Sequence, residues 1–519
     1  MAPTLPRSLP RTAAGLVGIV FCASARPAGG QSFAVGSGLP SGSPANAGYT
    51  ENVDFADVDH DGDRDCIKAE GGDFGNQQNR LWLNRGGLQG GAPGDFQDET
   101  AARFPAVLDS TRDADFVDFD HDGDDDLYVT NSSSASNQSS RWWVNMGGAQ
   151  AGTAGFFQEQ TSTRWINIAV NNGSTTFSSI PMSQKLASGG FVDWSCDCVL
   201  GDLDNDGDMD LFHSTYGSAF SGLAPSRVFR NDGAGAFEEF NPSGFQLSGT
   251  DIASGNPGLW AEGVQSFSTI ETSGAQCDIA GTPLGVEFGD LDGDYDLDIV
   301  MGSRNELPRV FRNRLNEVAT LRLRDVTFAS FSEFPDSISN YEQELGDFDE
   351  DSDLDLYGVN WPSSLQDCTA LNNGAGTFGA FAILAGSTPD DSEADWFDFN
   401  GDGRLDAFVT SFNGRERLYR SSGPSGWTFA NVTTTELPAD ASNSLGADTC
   451  DVDLDGDYDV LVANENDQPE VLLRNVGNVP DTTAPRVPKL QQTPNRAAGP
   501  TPTVVRAHVY GNSSWDVLR

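Results

Sequence analysis

The chain has 519 residues, 30 Lys+Arg against 77 Asp+Glu, and a formal net charge of −47. That balance argues against nucleic acid and anionic membrane surfaces as partners. The length allows two to four average domains or one large repeat fold, and 37 % hydrophobic residues with 58 glycines suit an all-β chain with a sizeable core.

Residues 1–25 read as a secretory signal peptide. Arg7 and Arg11 form a basic start, Ala13 to Cys22 is apolar, and Ala23-Ser24-Ala25 offers a small-residue cleavage site. No other stretch reaches 18 apolar residues, so no membrane span is expected. Cleavage leaves Cys66, Cys196, Cys198, Cys277, Cys368 and Cys450. An even number in an exported chain permits disulfides, and Cys277 is a plausible partner for Cys196 or Cys198. Spacing does not choose among the pairings.

Seven acidic stretches follow, their starts 51 to 88 residues apart. The first holds Asp57, Asp59, Asp61, Asp63 and Asp65. The second holds Asp118, Asp120, Asp122, Asp124 and Asp126. The third holds Asp202, Asp204, Asp206, Asp208 and Asp210. The fourth holds Asp290, Asp292, Asp294, Asp296 and Asp298. The fifth holds Asp347, Asp349, Asp351, Asp353 and Asp355. The sixth holds Asp398, Asn400, Asp402, Arg404 and Asp406, and the seventh Asp451, Asp453, Asp455, Asp457 and Asp459. Five like charges so close repel one another unless a hard cation sits among them, and calcium takes six to eight oxygens. Positions 1, 3, 5 and 9 would give side-chain oxygens and position 7 a backbone carbonyl. Arg404 at position 7 of the sixth stretch is tolerable on that assignment.

An EF-hand is excluded by position 12, which is Lys68, Val129, His213, Met301, Gly358, Val409 and Val462, with no carboxylate. Position 2 is always apolar (Val58, Phe119, Leu203, Leu291, Phe348, Phe399, Val452) and should anchor the loop in a core. Position 6 is Tyr295 in the fourth stretch and Ser352 in the fifth, where glycine is expected. A non-glycine residue at positive φ is strained, so these two sites should turn differently or bind less well. The sixth lacks a charge at Asn400. Weaker binding is expected at all three.

Each stretch sits in a recurring unit. An apolar run leads in and a second run leads out, as in Leu211-Phe212. A third strand follows, such as Arg227-Val228-Phe229-Arg230-Asn231, then a glycine turn and Phe237. Four short strands per unit, repeated, predict a β-propeller. The last unit, ending at Leu472-Leu473-Arg474-Asn475, lacks a fourth strand, and Gln31-Ser32-Phe33-Ala34-Val35 resembles the missing one. We expect that N-terminal strand to complete blade seven. Long insertions fall near 160–193 and 241–283. Residues 477–519 read as a Pro/Thr-rich linker and a truncated β-rich tail.

On the acidic loops, the Arg-φ-φ-φ-Asn strands and the Gly-x-Gly-x-Phe turns, residues 31–476 resemble the FG-GAP/VCBS repeat family, the calcium-binding propellers related to the integrin α-subunit head. The resemblance implies a seven-bladed propeller of four-stranded blades, up to seven Ca²⁺, and roles in adhesion or surface recognition. No Ser/His/Asp motif or phosphate-binding loop stands out. His60, His121, His213 and His508 read as loop-packing or solvated. The expectation is therefore a secreted or cell-surface, non-enzymatic module that binds a protein or carbohydrate. A polysaccharide-active lyase or hydrolase, or a structural surface component, remain the alternatives.

Overall fold

Short apolar runs between tight turns cannot bury themselves alone, and here they assemble as strands. In the computed structural model the described residues run from 31 to 477, apart from 43, 73–74, 133–139, 167–175, 178–179, 182–194, 215–225, 241–259, 263–275, 278–283, 303–307, 332–339, 362–364, 388–389, 425–426 and 440–441; beyond 477 they are 486–490 and 507–510. The expected signal peptide, most of both insertions and most of the tail lie outside them.

Seven antiparallel four-stranded sheets form the blades of one propeller. Blade 1 runs through Thr50–Ala56, Asp65–Glu70, Arg80–Asn84 and Phe96–Asp98. Blade 2 repeats this from Thr111–Val117 to Phe157–Glu159, blade 3 from Cys198–Gly201 to Phe237–Glu239, and blade 4 from Val286–Gly289 to Leu323–Asp325. Blades 5 and 6 begin at Asn340–Gly346 and Asp391–Phe397. The first strands of successive blades touch one another around a central channel, and that of blade 7 (Ser444–Cys450) touches that of blade 1, so the ring closes.

Closure is made by the N-terminus. Phe33–Val35 pairs with Val471–Asn475 as the fourth strand of blade 7, with Phe33 opposite Asn475. Phe33 is fully buried, and its ring lies 6.1 Å from Phe397 and 6.2 Å from Phe399. A second link crosses the same seam. Lys68 of blade 1, fully buried, sits 2.8 Å from Glu70 and 2.7 Å from Glu470 of blade 7, over the Trp82 ring. A closed ring has no exposed first-to-last edge to aggregate.

The insertions also cover edges. Trp165–Ile166 adds a parallel strand outside the fourth strand of blade 3, and Ala261–Glu262 does the same for blade 4. Trp260 is 2 % exposed and donates its indole N–H to the Ser226 carbonyl at 2.8 Å. These tryptophans are packing residues. The five described cysteines, Cys66, Cys196, Cys198, Cys368 and Cys450, are buried, and no disulfide joins any two of them. The Cys277 side chain lies outside the described set. Among the described residues no helix is long and apolar enough to cross a membrane.

Candidate metal centres

The seven acidic stretches all fall in one place, the turn between the first and second strands of a blade. Position 2 is buried in each, at most 3 % exposed, and anchors the loop between blades. Position 9 begins the second strand: Asp65, Asp126, Asp210, Asp298, Asp355, Asp406 and Asp459 are all at most 2 % exposed.

The turn is the same in every loop. Positions 4 and 6 take positive φ throughout, from His60 (60°) and Gly62 (97°) to Leu454 (59°) and Gly456 (97°). Tyr295 (71°) and Ser352 (80°) conform too, which corrects the expectation of a different turn there. Tertiary packing holds these two in a conformation that costs a non-glycine residue roughly 1–3 kcal/mol. The position-1 carboxylate helps to pay that cost. Asp57 accepts the N–H groups of Asp61 and Gly62 at 3.0 and 3.1 Å, and Asp290 accepts those of Asp294 and Tyr295 at 3.0 and 2.7 Å.

Position 9 ties the loop to the third strand. In all seven blades its carboxylate accepts a backbone N–H from the end of that strand, or just beyond it at Asn372 in blade 5, as Asp126 does from Asn145 at 2.8 Å and Asp459 from Asn475 at 2.8 Å. In six blades that residue is asparagine, and its side-chain amide donates to the position-2 carbonyl of the preceding blade's loop. Asn84 reaches Val452 (2.8 Å), Asn145 reaches Val58 (2.9 Å) and Asn475 reaches Phe399 (3.0 Å). Blade 6 has Ser421 instead. The asparagine was visible in sequence, but its reach into the next blade was not.

What remains unsatisfied points to a cation. Asp59, Asp120, Asp204, Asp292 and Asp453, all at position 3, each keep at least one buried carboxylate oxygen with no hydrogen-bond donor. The other oxygen takes an arginine, as in Asp59–Arg103 (3.2 Å) and Asp120–Arg164 (3.0 Å). In the first four loops, positions 1, 3 and 5 bring one carboxylate oxygen each within 4.8 Å of one another. Burial, then neighbouring carboxylates, push Asp126 up to about 9 and Asp204 up to about 6. Burial likewise carries Asp210 to about 8, although the Asn231 N–H opposes it. Buried carboxyls this hard to ionise fit a site that holds a positive ion.

Three spans of the chain, the last two overlapping, match one family, the FG-GAP-like repeat: residues 57–129, 347–409 and 398–462. The chain carries FG-GAP-like repeats. No curated protein matches it. Two solved structures of BBS1N in complex with ARL6DN match the chain. The one soaked with mercury has 10 % identity and a TM-score of 0.43, covering 88 % of this chain and 99 % of that one. The one soaked with lead has 11 % identity and a TM-score of 0.39, at the same coverage.

Within this FG-GAP propeller, adjacent loops are also linked to each other. The position-4 side chain of one loop meets position 7 of the next: His60 to Asp124 at 3.3 Å, His121 to Asp208 at 3.0 Å, and Asn205 donating to Asp296 at 2.7 Å. His213 is instead fully buried, 3.0 Å from the Tyr128 hydroxyl.

The channel is the other feature that sequence reading missed. Strand alternation turns Asp54, Asp115, Glu287, Glu344 and Asp395 inward at one level and Asp113, Asp197, Glu342 and Glu393 at the level above. All nine line a cavity of about 730 Å³. Burial, with like charges opposite, holds Asp54 and Asp395 at about 7 and Glu287 at about 8. Cys198 donates its thiol toward Asp115 at 3.0 Å and Asp113 at 3.3 Å. The signal was there in Asp113-x-Asp115, Glu342-x-Glu344 and Glu393-x-Asp395, an alternation just ahead of each loop.

Proposed function

We propose that this FG-GAP propeller is an exported, calcium-stabilised binding module for a protein or carbohydrate. The observation that carries the calcium reading is the buried, donorless oxygen at position 3 of five loops, set beside the carboxylates of positions 1 and 5. An all-oxygen, carboxylate-rich site suits a hard divalent ion, and calcium tolerates the irregular geometry of a loop. Bound calcium would cancel the loop's like-charge repulsion. The chain's own residues then do the rest: position 2 anchors, positions 4 and 6 turn, and position 9 fastens the loop to the third strand.

Export rests on the basic, apolar and small-residue sequence of residues 1–25. Binding rests on the fold, which presents loops from a rigid ring and reserves its tidy acidic clusters for structure. A glycan and matrix-protein array probed with and without a chelator tests the reading. Calcium-dependent binding without turnover supports it. Turnover of a polysaccharide, abolished by changing acids outside the seven loops, would replace it with the enzyme reading.

A further inference from the structure

The sixth loop differs from the other six in how its carboxylates are satisfied. Asn400 at position 3 donates its side-chain amide to Asp406 Oδ2 at 2.8 Å. Arg404 at position 7 donates Nη1 to Asp402 Oδ2 at 3.1 Å. Its Nε lies 3.3 Å from Glu350 Oε1, the position-4 side chain of the fifth loop. Asp398 accepts the N–H groups of Asn400 at 3.3 Å, Asp402 at 3.0 Å and Gly403 at 2.5 Å.

None of Asp398, Asp402 and Asp406 leaves a buried oxygen without a donor, whereas every other loop leaves at least one. One per loop suffices to show this: Asp59, Asp120, Asp204, Asp292, Asp353 and Asp453. The guanidinium is also held in place. A Cβ at Gly423 would lie 2.6 Å from Arg404 Nε, just as one at Gly147 would strike Asp124, so the glycine turn after the third strand leaves room for whatever occupies position 7.

The partner residue explains the exchange. In the first three loops position 4 is a donor or a ring nitrogen (His60, His121, Asn205) that meets an aspartate at position 7 of the next loop. Here position 4 is Glu350 and position 7 is Arg404, the same contact with its charges reversed. The change at position 7 thus comes as a matched pair across two blades.

We infer that the sixth loop takes no metal ion, because Arg404 supplies the positive charge and Asn400 the donor that an ion supplies elsewhere, so that the propeller binds six ions. This rests on the calcium reading of the other loops. A fixed guanidinium beside position 5 repels a divalent cation and occupies the oxygen that would bind it. Calcium should therefore hold the other six loops, while the sixth stays closed without it.

Native mass spectrometry of the folded chain in calcium tests the count. Six ions support the inference. Seven overturn it and leave the calcium reading intact, whereas none overturns both. The triple variant Glu350→Asn, Asn400→Asp, Arg404→Asp restores the pairing seen between Asn205 and Asp296 and should gain one ion; a folded variant that still binds six overturns the role given to Arg404. Hydrogen exchange of the unmodified chain needs no variant. On chelation the amides of Asp206 and Gly207 should lose protection at least tenfold, while those of Asp402 and Gly403 keep theirs. Equal loss at both loops overturns the inference.

Discussion

The side-chain amide of Asn145 donates to the Val58 carbonyl across the boundary between blades 2 and 1, 2.9 Å away, while its own backbone N–H donates to Asp126 at 2.8 Å. Its side-chain oxygen accepts the Gly155 N–H at 2.8 Å. One fully buried residue thus joins a loop, a turn and the neighbouring blade. Asn145→Ala removes the amide and strands the Val58 carbonyl and the Gly155 N–H. The expected cost is about 2–4 kcal/mol, since each buried group left unpaired costs about 1–3 kcal/mol. Urea unfolding of the variant measures it; a loss under about 0.5 kcal/mol would show that the bridge is incidental.

The N-terminal strand should matter out of proportion to its three residues. Phe33 fills a space between Phe397 and Phe399 of blade 6, so Phe33→Ala should cost about 3–5 kcal/mol. Deleting residues 31–36 should lower the melting temperature sharply and expose the edge of Val471–Asn475. An unchanged melting temperature would sink the closure argument.

The acid-lined channel predicts a pH dependence opposite in sign to that of ordinary carboxylates. Asp54 and Asp395 near 7 and Glu287 near 8 bind protons more tightly folded than unfolded. Their contribution is complete below the unfolded value of about 4 and is lost as pH rises toward 7–8. In chelator, the melting temperature should therefore fall between pH 5 and pH 8. The double variant Glu287→Gln, Asp395→Asn should raise it at pH 8 and flatten the slope. A slope equal to that of the unmodified chain would assign the effect elsewhere.

Chelation should loosen the six loops that keep a donorless oxygen. At a free calcium concentration one hundred times the dissociation constant, each site adds about 2.7 kcal/mol by mass action. Calorimetric melting with calcium and with chelator should separate by many degrees. Asp120→Asn, which removes the charge at position 3 of the second loop, should lower the number of ions bound tightly by one. Coincident melts in the two buffers would remove calcium as a stabiliser.

Much of this architecture was legible because it repeats. Seven copies of an acidic turn between apolar runs can be counted, and the unpaired last unit points back to Phe33. The apolar residue at position 2 declared its burial by its constancy. What could not be read were relationships between blades. Tyr295 and Ser352 looked like exceptions to the turn, yet both take the same positive φ, their N–H groups held by the position-1 carboxylates of Asp290 and Asp347. The insertions could not be placed from the sequence, but Trp260 lies 4.9 Å from Phe311 in the core. Cysteine number suggested disulfides, but none joins the described cysteines.

Local chemistry alone determined the loop, its preference for a cation and the four-strand unit, because charge repulsion and strand alternation act over fewer than ten residues. Only the closed ring decided which oxygen lacks a donor, which asparagine reaches which carbonyl, and why Glu350 answers Arg404. Those pairs are distant in sequence, and they meet because each blade can bury its faces only against its two neighbours.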